Sequence, residues 1–439
     1  MSGFLGARGP RLRPLNPKRA TTVSVLDIGS SKIVCLIARL KPIDNGLVLP
    51  NRTHVAEVLG LGHQRSRGIK GGAVVDMDAA ETAIRLAVDA AERMSDLTVE
   101  SLIVNLSCGK LGSEAYRASV SIGGHPVEDG DIHRVLKAGT AHSIRDGRSV
   151  IHALPVGFSL DQEKFIRDPR GMTGEELGVD MHVVTAEALP IRNLLACIER
   201  CHLQVDALVA TPYASGLSAL VDDEAELGTL VIDMGGGTTT AAVFHEGRFV
   251  HAESVPVGGH HVTLDIARGL STPLADAERL KTMYGSPLPC PSDEREILTV
   301  PQVGDDSDLP NHVPRAQLVR IVRPRVEETL ELVRDTLTAS GAHALAGRTI
   351  VLTGGAAQLT GLAEVARRVL GRNVRVGRPL GISALPENAK GPAFCAAVGL
   401  AVYPQVAQFE QFQPRSRGTR ATGTDGGYFT RVGAWLRSF

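Results

Sequence analysis

The chain has 439 residues, of which 43% are hydrophobic and 22% are charged, and its formal net charge at pH 7 is −1. This length is too great for one hydrophobic core and predicts two lobes, while the near-neutral charge gives no sign of a nucleic-acid-binding protein. Six scattered cysteines argue against a disulfide framework, and no apolar run reaches the eighteen or so residues that a transmembrane helix requires.

The first twenty residues are predicted to be a disordered basic arm. They contain three prolines and five basic side chains but no apolar core, so they do not match a secretory signal. A weak role at an anionic surface is the alternative to a plain flexible tail.

The first lobe is predicted to open with a β-hairpin. An apolar run from Val23 ends in Asp27-Ile28-Gly29 and the polar turn Ser30-Ser31-Lys32, and Ile33–Ala38 forms the returning strand. A third strand and a basic loop follow, and then an amphipathic helix over Ala79–Met94.

The stretch from residue 102 to about residue 180 has a different character, with several glycine-rich turns. Strands are predicted at Leu102–Leu106 and Val150–Phe158, and a helix is predicted near Asp129–Thr140.

A second hairpin repeats the pattern of the first. Before it, Pro190–Cys201 is predicted as a helix with proline in its first turn, and Gln204–Ala210 as a strand back into the first lobe. The run from Thr229 then ends in Asp233-Met234-Gly235, the turn Gly236–Thr239 follows, and a returning strand comes next.

The two turns together indicate a fold that holds a phosphate chain from both sides. Glycines let the backbone approach a ligand, successive N–H groups form an anion-binding nest, and Lys32 adds a point charge. Asp27 and Asp233 are expected to face each other, and paired carboxylates near phosphates suit Mg²⁺. Two tight hairpins without a ligand are the alternative. Neither turn has the dinucleotide-binding or Walker pattern.

A third glycine turn comes after both phosphate turns. A long helix is predicted over Arg315–Ser340, and Thr353–Ala357 then follows a strand and precedes an amphipathic helix over Gln358–Leu370. A Gly-Gly turn at a helix start permits the flat approach of a base or ribose. Pro392–Tyr403 is predicted to return the chain to the first lobe.

The C-terminal region is predicted to be a linker that carries an amphipathic helix. Residues 404–426 lack the apolar side chains needed to pack and are predicted to be flexible. In residues 427–439, apolar side chains fall within an arc of about 120° when placed on a helix. Such a helix is too short to span a bilayer and suits the membrane interface. A helix that docks back onto the protein is the alternative.

The order of the three turns resembles that of the actin-like ATPase superfold, which is shared by actins, DnaK-type chaperones and sugar kinases. Within it, the chain resembles the FtsA family of bacterial cell-division proteins. The segments that carry this resemblance are Val183–Ala186, Asn193–Leu194, Leu227–Gly228, Gly258–His260, Asp265–Ala267, Ala277–Lys281 and Tyr284–Gly285.

The resemblance implies an α/β, actin-like two-lobed fold with duplicated ribonuclease-H-like cores, an inserted subdomain of the FtsA type and a C-terminal amphipathic helix. The expected divisions are the basic arm 1–20, first-lobe core 21–100 and 183–227, inserted subdomain 101–182, second-lobe core 228–270 and 315–390, second-lobe outer subdomain 271–314, return helix 391–403, linker 404–426 and terminal helix 427–439.

The resemblance also implies ATP with Mg²⁺ between the lobes. The phosphate-binding residues would be Gly29, Ser30, Ser31, Lys32, Gly235, Gly236, Gly237, Thr238 and Thr239. The adenosine-binding residues would be Glu278, Lys281, Gly354, Gly355 and Ala356. Asp27 and Asp233 would hold the metal through water. Thr211 stands where DnaK-type proteins have Glu, and a hydroxyl is a poor general base, so the chain is expected to be a weak ATPase at most.

A further implication is a nucleotide-dependent structural protein, peripheral on the cytoplasmic face of the inner membrane at the division site. It would polymerise with itself, tether filaments of FtsZ, help assemble the Z ring and recruit later division proteins of the membrane. The expected membrane-binding residues are Tyr428, Phe429, Arg431, Val432, Trp435, Leu436, Arg437 and Phe439. The alternatives are an FtsA-related pilus-assembly ATP-binding protein and a sugar or acetate kinase of the same superfold.

Overall fold

The computed structural model describes residues 12, 15–16, 18–43, 52–140, 147–304, 311–407 and 410 of the chain. Within these residues the buried apolar side chains form three clusters: one centred on the first lobe and reaching into the second, one in the second lobe, and one in an inserted subdomain. Leu12 and Leu15, from the predicted disordered arm, pack against the first of these clusters. The rest of the arm before Lys18, apart from Asn16, lies outside the described residues.

The first lobe is built on a sheet that starts with the predicted hairpin. Its elements are β1 (Thr21–Ile28), β2 (Lys32–Pro42), β3 (His54–Arg65), the short hairpin β4 (Ile69–Lys70) and β5 (Ala73–Val74), α1 (Met77–Ser95) and β6 (Ser101–Leu106). β1, β2 and β3 are antiparallel neighbours, and β6 joins β1 in parallel. Helix α1 starts where the Asp76 side chain accepts the N–H of Ala79 at 3.1 Å.

The inserted subdomain is a four-stranded antiparallel sheet covered by one helix. Its elements are β7 (Gly112–Ser121), α2 (Asp129–Thr140), β8 (Arg148–Leu160), β9 (Glu163–Ile166) and β10 (Glu176–Glu187), with the strand order β7-β10-β8-β9. Ser101–Leu106 was expected here but belongs to the first-lobe sheet, and β10 continues past residue 182. A short apolar strand looks the same in either sheet, so its sequence does not reveal its partner.

The chain then returns to the first lobe. The elements are α3 (Ala188–Arg200), β11 (Gln204–Ala210), α4 (Thr211–Ala219) and α5 (Asp222–Leu227). Strand β11 pairs in parallel with β6, as the sequence predicts for a strand that re-enters this lobe. Helix α4 starts directly at the end of β11, and almost all of its side chains are buried.

The second lobe follows with the second predicted hairpin. Its elements are β12 (Thr229–Met234), β13 (Thr239–His245), β14 (Arg248–Val255), α6 (Gly259–Gly269), α7 (Leu274–Tyr284), β15 (Ile297–Val300), β16 (Asn311–Pro314), α8 (Arg315–Ala339), β17 (Thr349–Thr353), α9 (Leu362–Leu370) and β18 (Asn373–Val376). The predicted helix over Gln358–Leu370 is in fact a 3-10 turn at Gly355–Gln358 followed by α9, because Gly361 interrupts it with φ of 80°.

The two main sheets share one topology. The first-lobe order β11-β6-β1-β2-β3 matches the second-lobe order β18-β17-β12-β13-β14. In each, the first three strands along the chain are antiparallel and the other two add in parallel. The prediction of a duplicated core is confirmed.

The end of the described chain packs on the first lobe. Strand β19 (Ile382–Ser383) adds to β3, and α10 (Cys395–Val402), with every residue buried, returns the chain as predicted. The linker prediction is wrong at its start, because Gln405 is buried and its Oε1 accepts the N–H groups of Thr53 and His54 at 3.0 and 3.1 Å. Glu410 is buried as well.

Residues 411–439, including the predicted terminal helix, lie outside the described part. Across the residues that the structure describes, no helix combines the length and apolar character needed to cross a membrane.

Candidate functional site

The two predicted phosphate turns have the same geometry and meet at the cleft between the lobes. The N–H of Gly29 donates to the carbonyl of Lys32 at 2.9 Å, and the N–H of Gly235 donates to that of Thr238 at the same distance. A Cβ placed on Gly236 would lie 3.2 Å from the side chain of Ser31. Glycine backbone and hydroxyl groups from both lobes therefore converge on one space.

A third turn from the first lobe reaches the same place. The N–H of Gly72, at the tip of the β4–β5 hairpin, donates to Ser30 Oγ at 3.1 Å. A Cβ on Gly237 would lie 2.5 Å from Ser30 Oγ and 2.9 Å from the backbone nitrogen of Gly71. This hairpin was not predicted from the sequence, although its two adjacent glycines after a basic loop are a turn signal.

One predicted phosphate-binding residue lies somewhat apart from the turn. Thr239 starts β13, is fully buried, and donates its hydroxyl to the carbonyl of Val257 at 2.8 Å. That hydroxyl joins the end of the turn to the segment at Val257, whereas the backbone of residues 235–238 faces the first lobe.

Two buried carboxylates lie at the ends of the paired strands. Asp27 and Asp233 occupy matching positions on β1 and β12, each one residue before the end of its ladder. Burial raises the pKa of Asp27 to about 6, with the nearby Asp233 adding to the rise and Lys32 opposing it. Burial also raises the pKa of Asp233, against the hydrogen bonds that it accepts from Ser215 and Thr353.

These two carboxylates fit a divalent cation. Burial raises the pKa of both carboxyls, and Asp233 raises that of Asp27 further, so a cation that shares their charge would favour the ionised forms. Mg²⁺ is commonly held by one or two carboxylates together with phosphate oxygens and waters. Asp27 and Asp233 are the residues that would hold Mg²⁺, and phosphate oxygens of a bound nucleotide would supply further ligands.

Lys32 supplies the positive charge of the site. Burial lowers its pKa, while Asp27 and Asp233 favour its charged form. Its ammonium donates to the carbonyl of Ala393. The side chain of Lys32, which the sequence predicts to bind phosphate, therefore places its positive charge near both carboxylates.

The predicted adenosine-binding residues gather at the second-lobe side of the cleft. Lys281 Nζ donates to Glu278 Oε2 at 2.7 Å, to Thr263 Oγ1 at 2.8 Å and to the carbonyl of Gly259 at 3.1 Å. A Cβ on Gly259 would lie 3.0 Å from that of Ala356, so this group touches the third glycine turn.

That third turn approaches the end of the cleft that contains Asp233. Gly354 has φ of 86°, and a Cβ there would lie 2.7 Å from Asp233 Oδ1 and 2.5 Å from the carbonyl of Met234. Gly355 and Ala356 follow it in the 3-10 turn. Only glycine fits position 354, because both the space and the backbone conformation exclude a side chain.

Several supporting residues gave no signal in the sequence. Ser215 and Thr353 hold Asp233, and Asn105 donates to Thr211 Oγ1 at 3.2 Å while accepting the N–H of Ile28 at 2.6 Å. Their roles depend on contacts between distant segments. The arrangement as a whole can hold a polyphosphate from three sides and a nucleoside from the second lobe.

Comparison with known proteins gives matches over most of the chain. The family model described as cell division protein FtsA matches residues 230–399, and the model described as SHS2 domain inserted in FTSA matches residues 109–185. The cell division protein FtsA of Rhizobium meliloti (strain 1021) is 58% identical over 431 residues, which cover 98% of this chain and 97% of that protein. That of Escherichia coli (strain K12) is 33% identical over 421 residues, covering 94% and 96%.

Solved structures share the fold at low identity. A chain of the PilM-PilN type IV pilus biogenesis complex matches with a TM-score of 0.58 and 17% identity, covering 87% of this chain and 98% of that one. MreB5 of Spiroplasma citri bound to ADP matches with a TM-score of 0.51 and 14% identity, covering 89% and 98%. The prediction of an actin-like two-lobed fold with an inserted subdomain is confirmed.

Proposed function

The chain belongs to the FtsA family of bacterial cell-division proteins, and from this membership we propose that it binds ATP with Mg²⁺ between its lobes and works as a membrane-bound tether in division. The observation that carries the nucleotide part is the meeting of two matching turns beside Asp27, Asp233 and Lys32. MreB5, whose fold this chain shares, has been solved bound to ADP, which supports an adenine nucleotide as the ligand.

Different residues of the cleft bind different parts of the nucleotide in this proposal. The backbone N–H groups of the two turns and Lys32 bind phosphates, and the hydroxyls of Ser30 and Ser31 add donors. Glu278, Lys281 and the Gly354–Ala356 turn face the adenosine. Mg²⁺ would neutralise phosphate charge beside Asp27 and Asp233. ATP binding then favours the closed arrangement of the lobes, because only that arrangement presents both turns at once.

Hydrolysis is proposed to be weak at most. Thr211, the residue in the position of a water-orienting acid, carries a hydroxyl that accepts a hydrogen bond from Asn105 at 3.2 Å. A hydroxyl has little basicity at neutral pH. The nucleotide therefore serves to set the shape of the protein, and ATP turnover is secondary.

We also propose self-association into filaments, binding to FtsZ and recruitment of later division proteins at the cytoplasmic face of the inner membrane. These partners follow from the family. The anchor is residues 427–439, whose apolar arc with flanking arginines suits anionic lipid. One short helix binds modestly, and many anchors on one filament multiply the affinity.

The pilus-assembly and kinase alternatives are weaker. The pilus complex shares only the fold, at 17% identity, whereas the relatives that match nearly the whole chain are cell-division proteins. ATP turnover stimulated by a small acceptor would favour a kinase.

The nucleotide site is tested by adding one methyl group at each of two glycines. Gly237→Ala places the methyl against Ser30 Oγ and the backbone of Gly71 and should weaken ATP binding about ten- to a hundredfold. Gly130→Ala, the matched control, adds the same methyl in α2 of the inserted subdomain, where it would meet no neighbouring segment within 4 Å, and should leave ATP binding unchanged. Equal ATP affinity in both variants, measured by calorimetry with Mg²⁺, would refute the proposed site between the lobes.

The tether is tested by co-sedimentation of purified FtsZ with anionic vesicles and Mg-ATP. The full chain should bring FtsZ to the pellet, and a chain truncated after Gly426 should not. If both chains pellet FtsZ equally, the terminal residues are not the anchor. If neither does, the assignment of FtsZ as partner fails.

A further inference from the structure

Lys32 is held by a segment that lies far from it in the sequence. Its ammonium donates to the carbonyl of Ala393 and lies 3.7 Å from the centroid of the Phe394 ring. An ammonium over the face of an aromatic ring is attracted by the negative charge of that face, and the attraction grows when water is excluded. Phe394 is only 8% exposed, so this contact lies in a largely dry part of the cleft.

The ring of Phe394 is held by contacts on both sides. Residues Pro392–Phe394 form a 3-10 turn, and the carbonyl of Pro392 accepts the N–H of Gly354 at 3.1 Å. The ring of His63 meets that of Phe394 edge to face, with centroids 5.7 Å apart. The turn is thus joined to the third glycine turn on one side and to the first-lobe sheet on the other.

The position of the ammonium matters because Lys32 has a long side chain with many rotamers. A free lysine would lose that freedom on binding a phosphate, and the loss would reduce affinity. The ring and the carbonyl fix the ammonium beforehand. Its charge already acts on Asp27 and Asp233, so it lies beside the space that the phosphates would occupy.

We propose that Phe394 is a positioning residue for the phosphates of the nucleotide. Its ring face and the carbonyl of Ala393 hold the Lys32 ammonium at the cleft wall with N–H donors left for the outer phosphates. This inference rests on the proposed ATP site and adds a residue that belongs to none of the three glycine turns. This role involves no proton transfer and no transfer of a chemical group.

The first test compares ligands with and without phosphates on the full chain. Phe394→Leu should weaken ATP binding about tenfold and leave adenosine binding unchanged. Phe394→Tyr keeps the ring face and should bind ATP like the parent. Phe158→Leu is the matched control, because Phe158 is also 8% exposed but lies in the core of the inserted subdomain. It should change neither affinity.

A second test separates positioning from packing. In a Lys32→Met background, Phe394→Leu should cause no further loss of ATP affinity, since the ring then has no cation to hold. Site-specific fluorinated phenylalanines at position 394 keep the shape of the ring and weaken its negative face. ATP affinity should fall progressively with the number of fluorines.

Three results would overturn the inference: equal losses for ATP and adenosine in Phe394→Leu, a loss that persists without Lys32, or no response to fluorination. A parent chain that binds neither ATP nor ADP would instead refute the ATP site, and this inference with it.

Discussion

Two buried polar regions of the molecule differ in how far partners within the protein compensate their buried charged groups. At the junction of the inserted subdomain, the first lobe and the end of the described chain, His152 and Glu410 are both fully buried and paired at 2.9 Å. The other ring nitrogen, Nε2, accepts the N–H of Ala210 at 2.9 Å. At the cleft, Asp27 is also buried, but its pKa is raised to about 6 because burial outweighs its attraction to Lys32.

The contrast indicates what each region is for. The junction gives its buried groups partners within the protein, so it contributes to the cohesion of three separate segments. The cleft keeps carboxylates whose burial outweighs the compensation from Lys32 and the neighbouring hydroxyls, which costs stability and marks a place where a cation or ligand completes the structure. Removing a charged group should therefore lower stability at the junction, and neutralising a carboxylate should raise it at the cleft.

The largest effect is expected at the junction. His152→Leu removes the donor to Glu410 and the acceptor of the Ala210 N–H, and breaking a buried pair in this way should lower the free energy of unfolding by about 3 to 5 kcal/mol. Glu410→Gln keeps an acceptor for the ring and should cost much less. Chemical denaturation of both variants measures this, and similar small losses would show that the pair contributes little.

At the cleft, Asp27→Asn should stabilise the nucleotide-free protein. The folded pKa of Asp27, about 6, lies above the pKa of about 4 of an aspartate in the unfolded chain, so the folded state binds more protons and its stability falls as pH rises from about 4 to about 6. Removing the charge should gain roughly 2 to 3 kcal/mol at pH 7.5 and nothing below pH 4. The same variant should lose Mg-ATP binding. A destabilised variant at pH 7.5 would contradict the comparison.

A second buried histidine beside the junction, His182, should show the opposite dependence on pH; the ring of Phe249 lies against both His182 and His152, with centroids 4.9 and 6.2 Å away. His182 in β10 lies 3.0 Å from the carbonyl of Phe249 in β14 and 2.8 Å from Ser113 Oγ, and burial lowers its pKa to about 3. The unfolded state then binds more protons, so stability is lost as pH falls below about 6.5. Between pH 7.5 and 5, the parent should lose about 2 kcal/mol more than His182→Gln, as measured by denaturation at each pH.

The sequence predicts the parts of these regions that depend on neighbouring residues. Asp27 and Asp233 follow apolar strands and precede glycine turns, so their place at strand ends is read locally. Glu410 stands among glutamines and prolines that suggest a linker, and its burial depends on His152 from the inserted subdomain. Ser101–Leu106 has the same apolar pattern whichever sheet it joins. Pairing between distant segments sets these features, and no local pattern encodes it.

The smallest effect concerns a helper of the second carboxylate. Ser215 in α4 donates its hydroxyl to Asp233 Oδ2, and Thr353 donates to the same oxygen at 3.2 Å. Ser215→Ala should raise the pKa of Asp233 further, because one stabilising donor to the ionised form is lost while Thr353 remains. A hydrogen bond to a charged group is worth about 1.5 kcal/mol at the low end of the usual range, which corresponds to about a tenfold loss of Mg-ATP affinity at neutral pH.

The loss in Ser215→Ala should shrink as pH rises, since the carboxylate then ionises without help. Ser218→Ala is the control on the same helix, because Ser218 donates to the carbonyl of Cys395 at 2.7 Å rather than to the carboxylate. Calorimetric titration with Mg-ATP across pH distinguishes them. An effect of Ser215→Ala that is independent of pH would mean that the hydroxyl acts through packing. Asp233 would then resemble His152 and Glu410, which find their partners within the protein.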